Sequence, residues 1–356
     1  MRDQRDPEKW LKQISFYTGI LDHMAMKGIS VKSIHCINYS GVLDVNGVEY
    51  HFLNLKRWQT FFPVRLIRYA KRLNPDAVVV HGLIFPFQVI LLQYGLRKTL
   101  ITAQHHAERA YHDVRAFIQR AADRYIAAYF FTSLGLASSW VERKQIRSVS
   151  KIHEVMEASS AFNLLDRQLS RKSTKVSGAP IYLWVGRLDE NKNPILLARA
   201  FVRFAAEFPG ARLYVIYQSY EQESQLKEIA EQSDNITLVG KVNHSELPFW
   251  YSSAEFIIST SYYEGSGISV CEAMSCGCVP VLTDIPSFRM MTDHGNVGLL
   301  YTPGNEVALV EALRKTISID VSMESRKVIH QFSQKLSYNA IASKMINIIQ
   351  RKINER

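Results

Sequence analysis

Cysteine is scarce in this chain: four residues, Cys36, Cys271, Cys276 and Cys278, among 356. They form no paired framework and no Cys-x-x-Cys spacing. That excludes a disulfide scaffold or a zinc ribbon and points to reduced thiols in a cytosolic compartment. Cys276 and Cys278 flank Gly277 in an apolar run, where small buried thiols are expected rather than metal ligands. The amino terminus, MRDQRDPEKW, lacks the apolar core of a secretion signal. The uncharged stretch at 125–141 falls just short of a bilayer span and is cut by Thr132, Ser133, Gly135, Ser138 and Ser139. A buried strand, a turn and a helix start account for it better, and no transmembrane segment is expected. Internal repeats and low-complexity tracts are also absent.

What is present is an ordinary soluble composition, 47% hydrophobic and 21% charged, too apolar for a disordered chain. The length suits two domains of about 150 residues each. Lys and Arg exceed Asp and Glu by 10, and the excess is uneven: +9 over residues 1–167 against +1 over 168–356. One half therefore carries a basic surface suited to an anionic partner. No RNA- or DNA-binding motif accompanies it, so nucleic acid is not expected.

Short apolar runs alternate with helical patterns. VKSIHCI, AVVVHG, TLITAQ and YIAAYFFTS read as buried strands in the first half, with helix-like stretches at 61–73 and 113–123. The second half offers IYLWVGRL, RLYVIYQ, ITLVGKV, EFIISTS and VPVLTD, with helices near 194–206, 222–232, 244–251 and 267–276. Continuous apolar strands separated by helices mean parallel sheets covered on both faces. The expectation is an α/β chain of two Rossmann-like domains, 1–170 and 178–330, joined by a polar linker at 168–179. A closing helix lies in 331–356, with Ile341, Met345, Ile348, Ile349 and Ile353 at helical spacing. A Rossmann-like domain opens with an apolar strand, a Gly-containing turn and a helix. Here only a charged decapeptide precedes the helix-like segment at 10–27, so either the first strand is missing from this chain or its start has been placed too late.

Two stretches carry candidate chemistry. In 259–284, STSYYEGSGISVCEAMSCGCVPVLTD, a strand runs through Glu264-Gly265-Ser266-Gly267 into a helix. The glycines let a ligand approach the backbone, and the free amides and dipole of the helix start suit a phosphate. Glu264 lies at the strand's carboxyl end, where open α/β sheets bind ligands, and Glu272 follows eight residues later, on about the second turn of the helix, where it can accept hydrogen bonds from ribose hydroxyls. In 182–194, YLWVGRLDENKNP, a buried strand ends in Gly186-Arg187, with Lys192 at the lip of the next helix. A rigid guanidinium fork beside a mobile ammonium is well suited to a diphosphate. Taken singly, each stretch is equally compatible with solvated surface charges and an ordinary glycine turn.

Together, Gly-Arg–Lys and, some 75 residues later, Glu-Gly-x-Gly-x₄-Glu-Ala-Met-x-x-Gly-x-x-Pro-Val resemble the glycosyltransferase family 4 group. The resemblance is clearest over 180–315 and weaker over 75–165. It implies a GT-B fold, two Rossmann-like domains facing each other across a cleft, the first on the acceptor side and the second binding a nucleotide sugar. It implies that Arg187 and Lys192 hold the donor diphosphate, with backbone amides from Gly265 through Ser266 and Gly267 to Ile268 completing the cradle. Glu264 would sit by the transferred sugar, Glu272 would bind the ribose, and backbone groups of Lys241 and Val242 in LVGKV would meet the base. AVVVHG and TLITAQHHAE resemble the family's strand ends, which brings His106 to the sugar, with His105 as the alternative. KIHEVMEASSAF at 151–162 resembles the interdomain strand and loop, so Glu157, Ser159 and Ser160 either face the cleft or form a hinge. Ser266 departs from the pattern, standing where an aromatic residue is frequent between the two motif glycines.

The activity so implied is retaining transfer of a sugar from a nucleotide-diphosphate donor to a glycan or lipid-linked acceptor, in cell-surface polysaccharide synthesis, with no metal and no other cofactor. A sugar-nucleotide epimerase and a non-catalytic nucleotide-sugar-binding subunit remain as alternatives on the same fold. Arg65, Arg68 and Arg72 share one helical side, preceded by Trp58, Phe61 and Phe62. This segment reads either as a surface helix with solvated arginines or as a basic, aromatic-edged face resting on anionic lipid. The second reading makes the protein cytoplasmic and peripheral at the inner face of the membrane.

Overall fold

A computed structural model describes residues 4–56, 58–59 and 62–356. The chain forms two compact units, Met1–Ser159 with Tyr338–Arg356, and Ser160–Ser337.

The first unit contains two sheets. β1 (Val31–His35), β2 (Gly41–Val45) and β3 (Val48–Phe52) run in the order β1-β3-β2, with β2 and β3 antiparallel. Asn46 and Gly47 turn that hairpin, both at positive φ (55° and 79°), as a two-residue hairpin loop requires. The other sheet, β4 (Ala77–His81), β5 (Leu100–Gln104), β6 (Ile126–Phe131) and β7 (Ile152–Glu154), is parallel in sequence order. Phe130, Phe131 and Tyr129 in β6 are fully buried, which explains why YIAAYFFTS is apolar throughout. Helix Ser15–Met26 packs on helix Tyr338–Asn354, and the Tyr338 ring lies where a Cβ on Gly19 would fall, 2.6 Å away.

The second unit is a six-stranded parallel sheet: β8 (Ile181–Gly186), β9 (Arg212–Tyr217), β10 (Ile236–Gly240), β11 (Phe256–Ser259), β12 (Val279–Thr283) and β13 (Leu299–Tyr301). The spatial order is β10-β9-β8-β11-β12-β13. The chain winds outward in one direction from β8 and in the other from β11, so these two adjacent strands mark the topological switch point. Tyr182 and Trp184 of β8 are buried, each burial worth about 2–3 kcal/mol. Their polar atoms reach Thr316 and Thr260.

Four expectations are revised. Residues 168–179 are not simply a linker: helix Arg167–Thr174 occupies much of them and packs on helix Leu247–Ser253, while the division between units falls at Ser159 and Ser160. Asp166 caps that helix, which gives its polar sequence a helical start. The closing helix does not fill 331–356. Residues Phe332–Leu336 form a π turn after helix Val321–Gln331, Ser337 is extended, and helix Tyr338–Asn354 belongs to the first unit. The segment at 10–27 is two helices, Pro7–Gln13 and Ser15–Met26, parted at Ile14. The β2–β3 hairpin and β13 are additional strands. Among the described residues, no helix is long and apolar enough to cross a membrane.

Candidate active site

At the switch point, the loops leaving β8 and β11 are tied to each other. Asn191 donates from Nδ2 to the Tyr263 carbonyl (2.9 Å) and accepts at its own carbonyl from the Tyr262 amide (2.9 Å). Thr260 Oγ1 donates to the Lys192 carbonyl, and Asn193, at φ 47°, caps helix Pro194–Glu207. This lattice places the Lys192 ammonium against the Glu264 carboxylate, both largely buried. Ser287 Oγ donates to the Glu264 carbonyl (2.6 Å) and fixes the backbone on the other side. Arg187 is 65% exposed and reaches Asp189 at 3.1 Å. The two predicted diphosphate cations thus have different settings, one enclosed and one open.

Gly265, Ser266 and Gly267 are buried and lead into helix Ile268–Ser275, with Gly267 at its N-cap. Gly267 has φ 57°, and a Cβ there would lie 2.7 Å from the Phe288 ring. Conformation and space both require glycine at this position. The first-turn amides and helix dipole therefore open directly beside Glu264 and Lys192.

Glu272, one turn further, is 5% exposed and accepts two hydrogen bonds. His244 Nε2 donates to Oε1 at 2.8 Å and the buried Tyr251 hydroxyl to Oε2 at 3.0 Å. The hydrogen bond to Glu272 raises the His244 pKa, outweighing a downward pull from burial. Burial and the same carboxylate push Tyr251 far up, so its hydroxyl stays protonated and donating. Phe162 stacks at a tilt on His244, ring centroids 4.9 Å apart. Lys241 is exposed and Val242 half-buried in the turn just before His244, beyond the irregularity at Leu238/Gly240 that ends β10. His244 was not singled out from the sequence; its place four residues past Gly240, in a turn opposite Glu272, is visible only in three dimensions.

In the first unit, the ends of β4 and β5 carry a polar cluster. Glu108 accepts the Leu83 amide at Oε1 (3.0 Å) and the His106 amide at Oε2 (2.7 Å), bridging the loops after both strands. His105 is buried, stacks on Phe131 at 4.5 Å and donates to the Glu108 carbonyl (2.8 Å). Burial lowers its pKa, although Glu108 and Glu157 oppose the shift. His106 is the partly open neighbour, its side chain 35% exposed, with Nδ1 2.5 Å from Glu157 Oε2. That approach is short but outside the angles of a regular hydrogen bond, and it is the close contact of an otherwise unpaired buried oxygen. Burial draws the His106 pKa down, and the Glu157 carboxylate, with Glu108 behind it, lifts it above the ordinary value. Ser159 and Ser160 are both buried. Neither Glu108 nor His81 was picked out from the sequence, although Glu108 closes the stretch TLITAQHHAE and His81 ends the apolar strand β4.

Among the described residues, no group of three or more His, Cys, Asp or Glu side chains could hold a metal ion. Lys192 and Arg187 are cations of the loop that leaves β8, and the arrangement is one for neutralising an anion at the carboxyl edge of a parallel sheet.

Residues 166–336 match the family described as "Glycosyl transferases group 1". A GDP-mannose:cellobiosyl-diphosphopolyprenol alpha-mannosyltransferase of Xanthomonas oryzae is 32% identical over 122 residues, 33% of this chain and 32% of that protein. An Escherichia coli O-antigen chain mannosyltransferase B is 29% identical over 134 residues, 36% of this chain and 34% of its own. The chain spans about a third of the length of these curated relatives. Solved structures match more broadly. A glycosyltransferase from Rickettsia africae aligns with a TM-score of 0.76 at 15% identity, over 96% of this chain and 95% of that one. Anabaena HepE, solved with UDP and glucose, gives 0.68 at 14%, over 93% and 95%. These similarities carry the fold, which is that of the GT-B glycosyltransferases. The likeness to the group 1 glycosyltransferase family lies in residues 166–336, just under half of the chain.

Proposed function

We propose that the protein transfers a sugar from a nucleotide-diphosphate donor to a glycan or lipid-linked acceptor, with retention of configuration and without a metal. The carrying observation is the Lys192–Glu264 pair beside the start of helix Ile268–Ser275, at the switch point of a parallel sheet. Lys192, the helix amides and Arg187 supply the positive potential that a departing diphosphate needs, work often given to a divalent cation. In this reading Lys192 turns from Glu264 to the phosphate, leaving the carboxylate to face the positive charge that develops on the sugar. The bond from the anomeric carbon to phosphate oxygen breaks, the acceptor oxygen bonds to the same face, and its proton passes to the leaving phosphate. Glu264 is a charge-stabilising group here and not a covalent nucleophile. Glu272 takes the ribose, backbone groups of Lys241 and Val242 take the base, and His106 serves the transferred sugar.

Cell-surface polysaccharide synthesis is the setting we infer, on the names of the relatives, which include a cellobiosyl-diphosphopolyprenol mannosyltransferase and an O-antigen chain mannosyltransferase. A peripheral place on the inner face of the cytoplasmic membrane goes with it. Residues 56–75 contain six basic residues and no acidic one. On helix Val64–Arg72, Arg65, Arg68, Lys71 and Arg72 are exposed. Trp58 and Phe62 are each 60% exposed, and the Phe62 ring meets Phe87 edge-on at 6.3 Å. Phe61 lies outside the described residues. Basic side chains edged by aromatic rings suit an anionic bilayer, at about 1 kcal/mol per Lys or Arg near the surface.

The test is calorimetry against UDP- and GDP-sugars, followed by release of nucleoside diphosphate in EDTA. Tight binding lost in Arg187→Ala, with metal-free release lost in Glu264→Gln, is the expected result. Full turnover by Glu264→Gln or Lys192→Ala would sink the assignment. Binding without release under any acceptor would favour a binding subunit, and conversion of the donor sugar with no acceptor would favour an epimerase. Cosedimentation with vesicles containing phosphatidylglycerol, absent with phosphatidylcholine alone, checks the membrane surface.

A further inference from the structure

The polar cluster of the first unit does not stop at His106. Its Nε2 lies 3.2 Å from His81 Nδ1, and His81 Nε2 lies 2.5 Å from the Tyr17 hydroxyl. Both nitrogens of both rings are therefore engaged, in a line that starts on helix Ser15–Met26 and crosses the ends of β4 and β5. It ends at Glu157, past β7. We propose that Glu157 is the positioning residue of His106, and that Tyr17, His81 and His106 form a hydrogen-bonded relay whose last ring is held by its close contact with the Glu157 carboxylate.

The proton count supports two arrangements and no others of equal quality. With both rings neutral, Tyr17 donates to His81 Nε2, His81 Nδ1–H donates to His106 Nε2, and His106 Nδ1–H points to Glu157. Each group then donates once along the line. Adding a proton to His106 reverses the outer half: His106 Nε2–H donates to His81 Nδ1, His81 carries its proton on Nε2, and that proton points to the Tyr17 oxygen. The extra charge stays on His106, beside the carboxylate. His81 cannot hold it, because burial, with His106 and then His35 nearby, keeps its pKa at about 3. The other charged or titratable groups around the line are Glu108, which accepts the His106 amide, and the buried His105. Tyr50 faces Tyr17, which burial keeps in its hydroxyl form.

One consequence follows for chemistry. A ring with both nitrogens occupied has no lone pair to offer an acceptor hydroxyl, so His106 is not a general base. It is a fixed ring whose charge is set by Glu157. That last role rests on the transferase reading; the wiring does not.

The experiment is histidine-labelled NMR of the full chain, with the His106 ring signal assigned by its loss in His106→Gln and titrated against pH. Glu157→Gln is expected to lower the His106 midpoint by about 1–3 units, the usual effect of removing an adjacent opposite charge. Glu157→Asp, which keeps the charge, should leave it raised and serves if the amide variant folds poorly. Tyr17→Phe leaves the Glu157 contact in place yet should lower the midpoint too, by less, because each arrangement loses one hydrogen bond and the one lost from the charged arrangement is the stronger. An unchanged midpoint in Glu157→Gln overturns the positioning role, and an unchanged midpoint in Tyr17→Phe overturns the relay. The pH profile of diphosphate release should move with the NMR midpoint, at unchanged KM for the donor. If the NMR shifts appear and the profile stays still, the relay stands and the assignment of His106 to the sugar falls.

Discussion

Two histidine–carboxylate pairs, one in each unit, look alike as distances and differ in everything around them. Glu157 and Glu272 are both buried, and each has an imidazole nitrogen within 3 Å. His106, however, is held at both nitrogens, by Glu157 and by His81. His244 is held at Nε2 alone among the described residues, with 63% of its side chain exposed. Tyr251 keeps the second Glu272 oxygen, so the carboxylate stays anchored if His244 leaves. A ring fixed at two points can position; a ring tethered at one point can be exchanged for a ligand. The same contrast separates the donor-side cations, since Lys192 is enclosed with Glu264 while Arg187 lies open beside Asp189.

That contrast breaks most visibly in rate. Lys192→Ala should cost about 10²–10³-fold in release of nucleoside diphosphate, the usual loss when an enclosed group is taken from a developing charge. Arg187→Ala should cost about tenfold, because an exposed guanidinium is screened and already shared with Asp189. Equal losses in steady-state turnover of the two variants would erase the distinction between enclosed and open cations. A second comparison is in stability. Gly267→Ala adds a Cβ 2.7 Å from Phe288 at φ 57°, and Gly19→Ala adds one 2.6 Å from Tyr338 on an ordinary helix. Each should lower stability by about 1–3 kcal/mol in denaturant titration. Truncating the obstructing ring, as in Gly19→Ala with Tyr338→Leu, should recover much of the loss at Gly19. It should recover little at Gly267, with Phe288→Leu, because the backbone strain remains.

The second unit was legible because its signals are local. The strands are continuous apolar runs, and Arg187, Lys192, Glu264 and Gly267 lie within a few residues of strand ends, so reading along the chain also reads the site. The Asn46-Gly47 hairpin was equally local, yet its polar-flanked strands do not resemble the buried parallel ones on which the alternation rests. Elsewhere the site is assembled across the chain. Tyr17 and His81 are 64 residues apart, and His244 and Glu272 are 28 apart. No periodicity links such positions, and each looks like an ordinary polar residue until the sheet order brings the loops together. The last helix shows the same limit from the other side. Its apolar spacing marks a helix, but which unit it covers depends on Gly19 leaving room for Tyr338.

The finest test is of the exchangeable ring. If ribose takes Glu272 Oε1, it must displace His244, which then loses the hydrogen bond that raises its pKa. In the free protein the protonated form persists above the ordinary value of 6.5; in the complex it returns toward that value. Binding therefore releases a proton in the window from about 6.5 up to the raised value, and donor affinity rises with pH across it. Below the window His244 is charged in both states, and above it neutral in both, so affinity is flat on either side. The expected change is a few-fold, since the ring is mostly exposed and its pair with Glu272 is partly screened. His244→Gln should remove this slope while leaving Tyr251 to hold the carboxylate. Calorimetry of nucleoside-diphosphate binding in two buffers of different ionisation enthalpy reads the released proton directly. Equal proton release by the unaltered protein and by His244→Gln would mean that the proton comes from another group, the diphosphate included, and that donor binding does not displace His244 from Glu272.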